Sequence, residues 1–78
     1  MEYPVNTLAQ TAHVLRGRRK AKKLTQKTAA ESVGLLPKTV SALESSPGRS
    51  SLESLFKLLS ALDLEMVLRV KKRNPSDW

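Results

Sequence analysis

The stretch from Leu24 to Glu44, LTQKTAAESVGLLPKTVSALE, leaves little freedom in how it folds, because it sets two short helical patterns on either side of a glycine. Thr25 can accept from first-turn amides through its hydroxyl, and Gln26 to Val33 follows with Ala29, Ala30 and Val33 at helical spacing. This predicts a helix over 26–33. Gly34 comes just past the last apolar residue, where a helix end often needs a left-handed backbone, and Leu35 can fold back as the apolar contact of that end. Pro37 suits the first position of a second helix, since the amide it lacks would have had no intrahelical acceptor and its φ is already helical. That second helix is predicted to run to Glu44 or Ser45.

Within it, Val40 and Leu43, with Leu36 a turn earlier, are expected to point into the domain. Lys38, Ser41, Ala42 and Ser45 follow the i, i+3, i+4, i+7 pattern on another face, and all are polar or small. Such a face can lie flat in a groove. Ala30 is small where the two helices of a tight helix-turn-helix cross, which fits that motif better than a loose αα-hairpin. Helix, glycine, helix also occurs in many small helical proteins, so spacing alone does not decide.

Charge narrows the choice. Fourteen Lys and Arg against seven Asp and Glu give a net charge of +7, which points to a polyanionic partner, either nucleic acid or an anionic membrane. A chain of 78 residues makes one domain whose core is marginal unless well packed or shared with a partner. There is no cysteine and one histidine, His13, so neither a disulfide nor a metal cluster is expected, and no cofactor. No apolar run approaches the roughly 20 residues of a membrane span, and no signal-peptide pattern opens the sequence. The expectation is a soluble cytoplasmic protein.

Upstream of the motif, residues 1–5 read as an arm. A helix from Asn6 or Thr7 carries Leu8, Ala12 and Leu15 on one side and continues into RGRRKAKK, residues 16–23, where six of eight residues are cationic. Cations in the last turns of a helix are favoured by its dipole, so the run has a structural reading beside a phosphate-binding one. Downstream, SSPGRSS, residues 45–51, is a loop by its Pro, Gly and Ser content. Ser51 then caps a helix through Leu62, with Leu52, Leu55, Phe56, Leu59 and Leu62 expected as a core stripe and Glu53 in the first turn.

From Leu64 to Lys72 the period changes to two: Leu64, Met66, Leu68 and Val70 alternate with Glu65, Val67, Arg69 and Lys71. A lone strand cannot satisfy its own amides, so a second copy pairing across a two-fold axis is expected, with Leu64, Met66, Val67, Leu68 and Val70 at the dimer interface. A frayed continuation of the last helix is the alternative. Residues 1–72 then form one helix-turn-helix and dimerisation domain. Residues 73–78 form a flexible tail ending on the only tryptophan, Trp78, a possible partner contact.

LRGRRKAKKLTQ, KTAAESVGLLPKTVSALE and SLESLFKLLSALDLE carry a resemblance, extending over residues 8–65, to the Xre or lambda-repressor-like family of helix-turn-helix regulators. The segment DLEMVLRV, the short tail and Trp78 extend the resemblance to the HipB antitoxins, partners of HipA-type serine/threonine kinase toxins. The implied fold is mainly α, a lambda-repressor-like domain of four helices with a C-terminal strand in an intermolecular two-stranded sheet. The implied partners are double-stranded operator DNA, a second copy and a HipA-like kinase, and no membrane. The implied function is binding of a palindromic operator as a homodimer, with repression of the protein's own operon. No catalysis is expected.

By position, the resemblance implies that Gln26, Leu36, Pro37, Lys38, Ser41 and Ala42 face the operator, while Thr25, Lys27, Thr28, Ser45 and Ser46 suit positioning contacts to the DNA backbone. Leu36 and Pro37 depart from the polar residues usual there, and they either meet thymine methyls or fill space. Arg19 and Glu44 match an internal salt bridge of lambda-type repressors and are assigned to the scaffold. A repressor without a toxin would share all of this except the kinase. An RNA-binding module would show more exposed aromatics than Tyr3, Phe56 and Trp78, and an enzyme would need an assembled acid, nucleophile or metal site that the sequence lacks.

Overall fold

The computed structural model describes residues 2–71, and everything below concerns those residues. Four α-helices follow one another: α1 Leu8–Ala21, α2 Gln26–Ser32, α3 Pro37–Ser45 and α4 Leu52–Ala61, with a short 3₁₀ helix Pro47–Arg49 between the last two. That 3₁₀ turn lies inside the segment read from the sequence as a loop.

The helix starts follow from side-chain hydroxyls. Thr7 Oγ1 accepts from the Gln10 amide at 3.1 Å while Gln10 Oε1 accepts from the Thr7 amide at 3.2 Å, a reciprocal capping box that satisfies two otherwise unpaired donors. Thr25 and Thr28 do the same at α2, and Ser51 Oγ accepts from the Ser54 amide at α4. Only α3 opens without a side-chain cap, on Leu36 followed by Pro37.

The helix ends share one device. After α1, α2 and α4 a single left-handed residue closes the helix: Lys23 at φ 58°, Gly34 at φ 71° and Asp63 at φ 54°. In each case the next amide, from Leu24, Leu35 or Leu64, reaches back to a carbonyl of the last turn, on Arg19, Ala30 or Leu59, at 2.9 to 3.1 Å. This is the Schellman arrangement, and the leucine that makes the bond turns inward against the core. Three chain reversals are thus fixed by one local rule.

The core consists of Leu15 from α1, Ala29 and Ala30 from α2, Val40 and Leu43 from α3, and Leu58 and Leu62 from α4 and its cap. Ala29 and Ala30 are fully buried, which lets α2 pass close to its neighbours. On α4 the buried ridge differs from the expected stripe. Leu55, Leu58, Leu59 and Leu62 obey i, i+3, i+4, i+7, so Leu52 and Phe56 fall on the neighbouring, exposed face and Leu58 takes their place inside. Leu36 also differs from expectation, since its side chain is 58% exposed.

Among the described residues there is no strand. Residues 64–71 carry no regular hydrogen bonding within the single chain; Leu64 packs on the core, while Leu68 and Val70 are 92% and 96% exposed. The expected strand would draw its ladder from a second chain, so one copy alone cannot form it. Nor does α4 continue through this segment, which removes the frayed-helix alternative. Arg69 Nη1 lies 3.3 Å from Glu2 Oε2, joining the two ends of the described chain. Lys72, the tail 73–78 and Trp78 lie outside the described residues.

Candidate nucleic-acid interface

The outward side of α3 is built by the inward one. Val40 and Leu43 are fully sunk in the core, so helical geometry turns Lys38 and Ser45 to the surface, with Ser41 and Ala42 half-buried between them. Lys38 has no acidic partner among the described residues. Ser45 donates to the Ser41 carbonyl at 2.8 Å, leaving its oxygen outward as an acceptor. Ser46, also exposed, ends the helix by donating its amide to the Ala42 carbonyl at 2.7 Å.

The opening of α2 is tied to the far end of α3. Gln26 Nε2 donates to Glu44 Oε1 at 3.2 Å, and Glu44 in turn receives Arg19 through Nε at 2.6 Å and Nη2 at 3.0 Å. Arg19 Nη1 also donates to the Leu24 carbonyl at 2.8 Å. One guanidinium therefore joins α1, the turn after it and α3, and one carboxylate joins α3 to α1 and α2. The hydrogen bonds that Arg19 donates to Glu44 hold its pKa above its already high ordinary value despite the opposing effect of burial. Among the described residues Gln26 keeps one amide proton and its Oε1 unspent.

The threonines assigned to backbone positioning serve the helix first. Thr25 and Thr28 spend their hydroxyls on each other's backbone, which leaves the exposed Lys27 ammonium as the charged group of that turn. Lys27 is exposed and only loosely paired with Glu31, at 3.9 Å.

The basic run divides into two groups. Arg18 Nε donates to the Leu62 carbonyl at 2.9 Å, Arg19 holds Glu44, and Lys22 pairs with Asp63. Those three fasten α1 to the end of α4 and to α3. The hydrogen bond from Lys22 holds the Asp63 carboxyl below its ordinary range. Arg16, Lys20 and Lys23 are exposed and have no acidic partner among the described residues. Arg49, on the 3₁₀ turn immediately after α3, is likewise exposed and unpaired among them, and the sequence reading passed over it. Its signal was there: a cation in a Ser, Pro and Gly loop directly following the exposed helix.

Among the described residues no cluster of His, Cys, Asp and Glu could hold a metal, and no helix is long and apolar enough to cross a membrane. A groove of about 270 Å³ lies between Leu8, Leu43, Pro47 and Leu52, lined by carbon and hydroxyls without a charged group. Nothing in it assembles an acid, a base and a nucleophile.

A helix-turn-helix family model matches residues 15–68. Among solved structures, a HipA–HipB–O2–O3 complex contains a chain with a TM-score of 0.84 and 29% identity, covering 88% of this chain and 97% of that one. A HipB variant in complex with an O2 20mer gives 0.86 and 28%, covering 92% and 100%. A HipB–O4 20mer complex gives 0.84 and 29%, with 88% and 97% covered. No curated protein sequence matches.

Proposed function

Because the chain belongs to the Xre-like helix-turn-helix family, we propose that it is a HipB-type antitoxin that binds operator DNA through α3 and represses its own operon. The supporting observation is the surface of α3, where an unpaired Lys38 and the polar edge of Ser41 and Ser45 stand outward beside the opening of α2. The solved structures that it resembles include HipB in complexes with O2 and O4 20mers and with HipA. The reaction is binding alone, with no covalent step.

On this reading two copies pair through Leu64, Met66, Val67, Leu68 and Val70 and form the two-stranded sheet that a single chain cannot. The exposure of Leu68 and Val70 in the single chain supports that pairing, since it leaves apolar carbon for a second copy to cover. The pair presents two α3 helices to successive major grooves, about one helical turn apart, on a palindromic site. Lys38 and Gln26 contact base edges; Lys27 and the backbone near Ser45 and Ser46 contact phosphates, while Thr25 and Thr28 hold the start of α2 in place for them. A HipA-like kinase is the second partner, and residues 73–78 with Trp78 are a candidate docking segment for it.

Selection from a random duplex library with the full-length chain tests the proposal. Enrichment of a palindrome with half-sites one turn apart is expected. Enrichment of no sequence, with uniform salt-sensitive binding, would overturn it.

A further inference from the structure

Three of the four α-helices open on a hydroxyl that caps them, Thr7, Thr25 and Ser51, whereas α3 opens on Leu36, which caps nothing. At that position Ser, Thr, Asp and Asn are strongly favoured, so the leucine forgoes stability that its neighbours' pattern shows to be available. Its side chain does not recover the loss by burial. Leu36 is 58% exposed and Pro37 beside it is exposed too, while Leu35 packs on the core in the position expected of the inward residue. The opening of α3 therefore offers solvent two aliphatic side chains that can neither donate nor accept a hydrogen bond. Next to them in sequence is Lys38, exposed and without an acidic partner among the described residues.

Aliphatic carbon next to a bare cation suits a polyanion that itself displays a methyl group. In the major groove only thymine does so, through its C5 methyl, and cytosine, guanine and adenine expose polar edges there. Resting on the operator-binding reading above, we propose that Leu36 and Pro37 recognise thymine methyl groups, so that each operator half-site is read at one or more A·T pairs by carbon contact. Lys38, adjacent in sequence, supplies the hydrogen-bonding part of the same readout.

The test uses the duplex selected by the full-length chain, with the thymines of one half-site replaced one at a time by deoxyuridine. That change removes the methyl and leaves base pairing intact. Affinities are measured by fluorescence anisotropy for the wild type, Leu36→Ala and Leu36→Ser, the last of which supplies the missing cap and so guards against simple loss of folding. At least one replacement should weaken wild-type binding by about threefold to tenfold, the worth of one buried methyl or slightly more. Both variants should bind the thymine duplex more weakly by a similar factor and no longer distinguish it from the deoxyuridine duplex. Wild-type binding indifferent to every replacement would overturn the proposal, as would variants that keep the full penalty. If no duplex is selected at all, the operator-binding reading fails first and this inference with it.

Discussion

Arg19 and Glu44 form a two-point ion pair across the domain, Nε to Oε2 and Nη2 to Oε1, with side chains only 11% and 4% exposed. The pair connects the basic helix to the helix whose outer face carries Lys38. Because Gln26 donates to the same carboxylate, a single acidic group ties together α1, α2 and α3 beside their shared core.

Breaking that pair from one side should therefore be worse than removing it whole. Arg19→Met or Glu44→Leu alone is expected to lower stability by about 3 kcal/mol, because each leaves a largely buried charge without its partner. The double variant should lose much less, and urea unfolding of all four proteins measures the difference. Equal additive losses would mean that the two residues act independently.

The left-handed helix ends make a second prediction with opposite signs at equivalent positions. Gly34→Ala meets no atom within 4 Å, so its cost is purely conformational, about 1 kcal/mol at φ 71°. Lys23→Gly, at φ 58°, relieves the same kind of strain and should raise stability by up to about 1 kcal/mol, less the added freedom of the unfolded chain. Thermal unfolding of the two variants reads both signs.

Acidification should act through Asp63. Its carboxyl is held below the ordinary value of 3.8 by the hydrogen bond from Lys22, so the stability it contributes is full above 3.8 and fades as pH falls through the lower folded value. Asp63→Asn, which tolerates the same left-handed backbone, should be less stable than wild type at neutral pH and lose less as the pH falls below 3.8, as urea titrations at each pH would show. The pair is at the surface, so added salt should shrink the difference.

For DNA, Lys38→Ala and Lys27→Ala should separate readout from general attraction. The first is expected to relax preference at one base pair by roughly 1 to 3 kcal/mol, and the second to weaken all duplexes alike and reduce the salt slope by about one. Lys22 is unsuited to the second role, because its ammonium already holds Asp63. Affinities across a set of single-base operator variants at several salt concentrations distinguish the two outcomes.

Much of this architecture was legible in the chain. Thr25, Gly34 and Pro37 act locally, through a cap, a left-handed turn and a fixed φ, so their consequences could be read without knowing what they pack against. The pairing of Arg19 with Glu44 came from family resemblance and not from spacing, since nothing local connects residues 25 apart. Burial on α4 was misplaced because Leu52, Leu55, Leu58, Leu59 and Leu62 leave several overlapping stripes open, and only the neighbouring helices choose among them. The basic run could not be divided from sequence for the same reason: Arg18 and Lys22 find their partners at the end of α4. Arg49 had a signal of position, directly after the exposed helix, but none of period, since charge outside a long helix has no repeat to mark a face.

The most direct measurement is a hydroxyl-radical footprint of the full-length chain on its selected duplex. Two protected patches related by a two-fold axis, with centres about one helical turn apart, are the predicted result. A single unsymmetrical patch, or protection that moves with every change of flanking sequence, would contradict a pair of α3 helices reading adjacent major grooves.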